Sequence, residues 1–240
     1  MNNLLSTKPI PDRERLIMAL DVPSVEEAKT IVGEIGDSIS FYKLGLELFM
    51  SGGYFELIGW LNEKGKKVFV DLKFFDVPET VARAVRALNG KGIAFATVHG
   101  NDAIMKAAAR EKGSVKILAV TVLTSLDRGD LVDLGFDCDV EKLVVSRARR
   151  ALALGCDGVI SSGLEVPVLR KEIDNKLLVI SPGIRPVENR QEDDQKRVVT
   201  VSQAFLNGAD YIVVGRPIRD ALDRRESAER VQRQISEVFG

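Results

Sequence analysis

Cysteine and histidine are scarce in this 240-residue chain, with two of the first and one of the second. Cys138 and Cys156 share no CxxC spacing, and a single pair cannot build a disulfide framework, so both read as structural or incidental in a reducing compartment. With His99 the sole histidine, a metal site would have to rest on carboxylates. Excess charge of either sign is also missing, with 34 Lys and Arg against 35 Asp and Glu. That balance supplies no long-range attraction toward nucleic acid or an anionic membrane, so neither is expected as a partner. No apolar run approaches the roughly 18 residues of a membrane span. Met1–Pro11 holds one lysine and no apolar core, so no secretory leader is expected there. These exclusions leave a soluble, cytoplasmic-type globular protein. Neither linker nor low-complexity segment interrupts residues 1–240, which predicts a single domain.

What the chain does have is a repeat of strand and helix patterns. Eight short apolar runs recur: Leu16–Asp21, Phe41–Gly45, Val68–Lys73, Phe95–His99, Ile117–Leu123, Gly158–Ser162, Leu177–Ser181 and Tyr211–Gly215. Each is nearly continuous in apolar character, as expected of parallel strands covered on both faces. Their starts are separated by about 28 residues on average, the size of one βα unit. Helical patterns lie between them. Ser24 and Glu27 form a capping-box pair, and Tyr54–Lys64, Ala103–Lys112, Val140–Leu154 and Ser202–Asn207 each stop at a glycine. A last helix spans Arg219–Val238. Eight such units in about 250 residues predict an α/β chain folded as one (β/α)8 TIM barrel. An open doubly wound sheet would want a glycine-rich first turn, whereas the turn here is Asp21-Val22-Pro23-Ser24.

A barrel puts its chemistry at the C-terminal strand ends. Those ends carry Asp21, Lys43, Asp71 with Lys73 and Asp76, His99, Thr124 with Ser125, Gly183 with Arg185, and Gly215 with Arg216. Asp71 and Lys73, two apart on one strand, are expected to point to the same face, within reach of Lys43. Lys43, Asp71, Lys73 and Asp76 then form a chain of alternating charge whose members satisfy one another, either as an active site or as a structural ion network. Two carboxylates offer a Mg²⁺ site, but the interleaved ammoniums already supply countercharge, so no metal is required. Pro182-Gly183-Ile184-Arg185-Pro186 and Gly215-Arg216-Pro217-Ile218 follow strands seven and eight, the usual phosphate loops of the barrel. Glycine lets backbone N–H groups approach a dianion and arginine adds a fixed cation, which points to a small phosphate monoester. His99 reads as a supporting hydrogen-bonding group rather than a base. Phe74 and Phe75 read as barrel packing.

The stretch Asp71-Leu72-Lys73-Phe74-Phe75-Asp76-Val77-Pro78-Glu79-Thr80 resembles the defining segment of the bacterial orotidine 5′-phosphate decarboxylases. The resemblance extends through Ala19-Leu20-Asp21, Lys43-Leu44-Gly45, Thr97-Val98-His99-Gly100, Thr124-Ser125, the two glycine–arginine turns and Asp194-Gln195-Lys196-Arg197. It implies decarboxylation of orotidine 5′-phosphate to uridine 5′-phosphate, the last step of pyrimidine synthesis, without cofactor or metal. Lys73 is then the proton donor to C6, and Asp71 lies against the departing carboxylate. Lys43 and Asp76 complete the charge chain. Asp21 and Lys43 would hold the ribose hydroxyls, and Thr124 or Ser125 would face the pyrimidine. Arg185, Gln195, Gly215 and Arg216 would bind the phosphate, with the polar loop from Pro186 to Lys196 as a lid. The resemblance also implies a homodimer in which Asp76 and Thr80 enter the neighbour's site. DxKxxD alone is shared with Mg²⁺-dependent sugar-phosphate lyases, the first alternative; a non-catalytic barrel that binds a phosphate ligand is the second.

Overall fold

The computed structural model describes residues 4–185 and 199–240. Gln195 and the expected lid loop fall outside them. Eight strands, β1 (Leu16–Leu20), β2 (Phe41–Leu44), β3 (Lys67–Phe74), β4 (Ile93–His99), β5 (Lys116–Val120), β6 (Gly158–Ile160), β7 (Leu178–Ser181) and β8 (Tyr211–Val214), follow one another in a closed parallel barrel. The register closes with Met18 opposite both Tyr42 and Val214. Strands β1, β2, β5, β6 and β8 stop short of the expected ends, at Leu20, Leu44, Val120, Ile160 and Val214.

Among the described residues, helices α1 (Val25–Ile35), α2 (Leu46–Met50), α3 (Tyr54–Glu63), α4 (Pro78–Arg86), α5 (Asp102–Glu111), α6 (Arg128–Asp133), α7 (Val140–Ala153), α8 (Val166–Glu172), α9 (Val201–Leu206), α10 (Arg216–Arg219) and α11 (Arg224–Phe239) fill the connections. The Ser24 hydroxyl accepts from the Glu27 N–H at 3.1 Å, closing the first turn of α1. The last helix begins later than the pattern predicts. Asp223 caps α11 by accepting from the Glu226 N–H at 2.8 Å, and Arg216–Arg219 forms a separate short turn.

Alternation along the strands divides the core in two. Leu16, Met18 and Leu20 face the helices, while Ile17 and Ala19 join Phe41, Phe69, Phe95, Leu118, Ile180 and Tyr211 inside the barrel. The interior aromatics meet at angles that suit their quadrupoles, with Phe41 and Phe95 5.0 Å apart and Phe95 and Tyr211 5.2 Å apart in an edge contact. Each buried ring contributes on the order of 1.5–3 kcal/mol. Period two places Lys43 one step above Phe41, Asp71 above Phe69 and Thr97 above Phe95. A rigid apolar layer is therefore the floor beneath a polar one.

Candidate active site

The polar layer is a connected chain of charge. Lys43 Nζ lies 2.9 Å from Asp21 Oδ1 and 3.3 Å from Asp71 Oδ2, and Lys73 Nζ lies 2.9 Å from the same Asp71 oxygen. Asp71 is buried, and Thr97, fully buried beside it, donates its hydroxyl to Asp71 Oδ1 at 2.8 Å. Burial alone would raise the Asp71 pKa, but the Lys43 and Lys73 ammoniums outweigh it and hold the carboxyl below its ordinary range. Burial likewise acts to lower Lys43, and the carboxylates of Asp71 and Asp21 overcome it and raise the lysine instead. The central pair is thus held ionised. Gly45 leaves room for this approach: a Cβ there would stand 3.1 Å from Asp21 Oδ1 and 3.4 Å from Lys43 Nζ.

Simple strand alternation does not account for the meeting of Asp71 and Lys73. The β3/β4 ladder pairs Val70 with Ala96 and next Phe74 with Val98, so three residues of β3 stand opposite Thr97 alone. Within that bulge Lys73 has φ 47°, the one positive φ outside glycine among the described residues. For a lysine this is a strained conformation. It brings the ammonium back over Asp71 and leaves the side chain 34% exposed toward the mouth.

Asp21, Lys43, Asp71 and Lys73 line a cavity of about 460 Å³ with Thr124, Gly183, Arg185, Gly215 and Arg216, a size in the usual range for a small-ligand site. Gly183 turns at φ 77°, as glycine permits, beside Arg185. Three expected members lie outside the lining of this chain's cavity. Asp76 is exposed, and its Oδ1 accepts from the Val77 N–H at 2.6 Å, so within one chain Asp21 and not Asp76 completes the charge chain. Thr80, on α4, is exposed, and Ser125 is exposed while Thr124 lines the cavity. Phe75 does not pack in the barrel. It is 65% exposed, and its ring lies 4.5 Å from that of His99. This ring contact stands where a hydrogen-bonding role was expected for His99. Burial, then Arg147 and Lys73, lower the His99 pKa, so the imidazole is neutral at pH 7.

Two further residues escape the sequence reading. Thr97 shares the inward phase of Phe95, and that phase was the available signal. Arg219 also lines the cavity and donates to the Asp21 carbonyl at 2.7 Å; it lies one helical turn beyond Arg216.

An anion cradle of two glycine–arginine turns shares one cavity with a fixed acid–lysine chain, the arrangement of a barrel enzyme acting on a small phosphorylated substrate. Comparison with known proteins makes this specific. Residues 14–231 match the model of the orotidine 5′-phosphate decarboxylase / HUMPS family. The chain is 75% identical over 239 residues to an orotidine 5′-phosphate decarboxylase of Methylococcus capsulatus, covering 100% of this chain and 99% of that one. An orotidine 5′-phosphate decarboxylase of Nitrobacter winogradskyi is 49% identical, with 95% of each chain covered. Among solved structures, the orotidine 5′-phosphate decarboxylase of Lactobacillus acidophilus superposes with a TM-score of 0.82 at 34% identity, covering 92% of this chain and 99% of that one. The chain belongs to the orotidine 5′-phosphate decarboxylase / HUMPS family.

Proposed function

We propose that this chain, acting as one domain over residues 1–240, converts orotidine 5′-phosphate to uridine 5′-phosphate and carbon dioxide in pyrimidine biosynthesis, as a cytoplasmic homodimer. The observation that carries the reading is the Asp21–Lys43–Asp71–Lys73 chain, linked at 2.9–3.3 Å, lining the cavity that also holds Arg185 and Arg216. Cleaving the C6–carboxylate bond leaves an electron pair on C6 with no cofactor to accept it, so a fixed cation must stabilise that charge. The Lys73 ammonium meets this need and then delivers its proton to C6, giving uridine 5′-phosphate. Asp71, beside the substrate carboxylate, is relieved of like-charge repulsion as carbon dioxide leaves. Asp21 and Lys43 hold the ribose hydroxyls. Thr124, as a lining residue, is favoured over the exposed Ser125 for the pyrimidine. Arg185, Gly215 and Arg216, with Gln195, hold the phosphate, whose binding energy is available to fix the reacting geometry. The family model also spans HUMPS members, so the full-length similarity to decarboxylases favours this activity over a sugar-phosphate lyase. The test is loss of orotidine 5′-phosphate absorbance on mixing with the protein, at a rate unchanged after dialysis against a chelator. Protection of the protein against heat without turnover would instead indicate a binding barrel.

In the homodimer we assign Asp76 and Thr80 to the neighbour's site. Their exposure, outside their own chain's cavity, supports that assignment. Lys73→Ala and Asp76→Ala homodimers each damage both sites. Statistical reassociation makes about half the dimers hybrid, and each hybrid has one site with both residues intact. Mixing is expected to recover about a quarter of wild-type activity. No recovery, with subunit exchange confirmed by a tagged chain, would return Asp76 to its own chain.

A further inference from the structure

The bulge that positions Lys73 needs a partner. With three residues of β3 opposite one of β4, the Lys73 N–H has lost its place in the ladder. Thr97 Oγ1 accepts it at 2.9 Å. The same hydroxyl donates to Asp71 Oδ1 at 2.8 Å, and chemistry fixes the direction: the amide supplies one proton and the carboxylate has none to give. Thr97 is fully buried on β4, above Phe95 and the interior aromatic layer, so its hydroxyl has no water to turn toward. Asp71 is thereby clamped with Oδ1 toward Thr97, leaving Oδ2 to face Lys43 and Lys73.

We propose that Thr97 is a positioning residue for the decarboxylation, its single hydroxyl tying the left-handed Lys73 backbone to the Asp71 carboxylate so that the proton donor and its acid partner are held in one geometry. The assignment rests on the decarboxylase reading above. It makes Thr97 act through Lys73 and Asp71, without touching the substrate. The orientation matters most when charge develops at C6, because a preorganised group needs no rearrangement at that moment.

Thr97→Val keeps the shape and removes the hydroxyl, and Thr97→Ser keeps the hydroxyl and removes the methyl. We expect Thr97→Val to lose about 10- to 100-fold in kcat with KM within about threefold, since the orphaned Asp71 carboxylate is buried and charged and the orphaned Lys73 N–H is partly buried. Thr97→Ser is expected to retain kcat within about threefold of wild type. Rates are taken per folded molecule, with the folded fraction measured by thermal melting. Unchanged kcat in Thr97→Val overturns the proposal, as does Thr97→Ser impaired as much as Thr97→Val, which would mark packing by the methyl group as the cause. If Thr97→Val fails to fold, Thr97→Ser decides alone: a tenfold or greater loss of kcat overturns the proposal, and near wild-type turnover supports it. The wild-type chain in the same assay separates the two levels. An inactive wild type overturns the decarboxylase reading and this proposal with it, whereas an active wild type beside an unaffected Thr97→Val overturns only the role of Thr97.

Discussion

The two ends of this barrel both bury charge, and they do so differently. At the N-terminal end, Asp210 is fully buried, and its oxygens accept from Ser6 at 2.5 Å, Lys8 at 3.0 and 3.1 Å, Arg170 at 2.7 Å and the Val179 N–H at 2.8 Å. Arg15 donates to the Asp210 carbonyl at 3.3 Å. Every acceptor direction there is filled by protein. At the C-terminal end, Asp71 is held by Thr97, Lys43 and Lys73 but lines a cavity of about 460 Å³, and the lysine beside it faces that cavity from a backbone with φ 47°. Buried ion pairs alone therefore do not mark an active site. What separates the ends is a cation with donor capacity left over, held in a strained conformation and facing open volume.

The largest effect expected from breaking this contrast is at the open end. Lys73→Ala should lower turnover by about 10²–10⁴-fold, the range for a positioned proton donor, while binding of uridine 5′-phosphate stays measurable. Retention of more than about a tenth of the activity would assign the proton to another group. At the closed end the same kind of change should act on stability instead. Asp210→Asn leaves Lys8 and Arg170 without their countercharge, and removing one partner of a buried pair costs about 3–5 kcal/mol. Urea unfolding should show that loss, with kcat per folded molecule unchanged. A fall in kcat without a fall in stability would erase the distinction between the ends.

A smaller effect sharpens the comparison within the mouth itself. Arg216→Ala should cost about 1.5–3 kcal/mol in kcat/KM, the range for a hydrogen bond to a charged group. A nucleoside substrate lacking the phosphate should barely distinguish the variant from wild type. Equal losses with both substrates would remove Arg216 from the phosphate end.

The same contrast explains what was legible in the sequence. The strands could be read because parallel strands covered on both faces are continuously apolar, and polar residues at their ends stand out against that background. Asp21, Lys43, Asp71, Arg185 and Arg216 were found in this way. The closed-end cluster was not read, since Lys8 and Asp210 are 202 positions apart and neither belongs to a motif. The Lys73 bulge was invisible for a different reason: a positive φ at lysine follows from tertiary context, and local residue preference argues against it. Without the bulge, alternation alone gives Asp71 and Lys73 a shared face and suggests no role for Thr97. Phe75 reads as core because an aromatic beside a strand usually packs inward, but here the strand ends at Phe74.

The smallest expected effect reports how far the charge of Lys73 reaches beyond its pairing with Asp71. The chain has one histidine, so its imidazole resonance is unambiguous in a proton NMR titration. Burial lowers the His99 pKa from 6.5, and the positive charges of Arg147 and Lys73 lower it further. The folded state therefore holds this proton less tightly than the unfolded chain does, and the unfolded state binds more protons as the pH falls below 6.5. The stability that neutral His99 contributes is present above 6.5 and is lost as the pH falls from there through the folded-state value. The wild-type midpoint should lie below 6.5, and Lys73→Ala should move it upward by removing one like charge. A midpoint at or above 6.5 would contradict the burial of the ring. An unmoved midpoint in Lys73→Ala would mean that Asp71 already cancels the ammonium at His99, which would make the open end of the barrel as quiet electrostatically as the closed one.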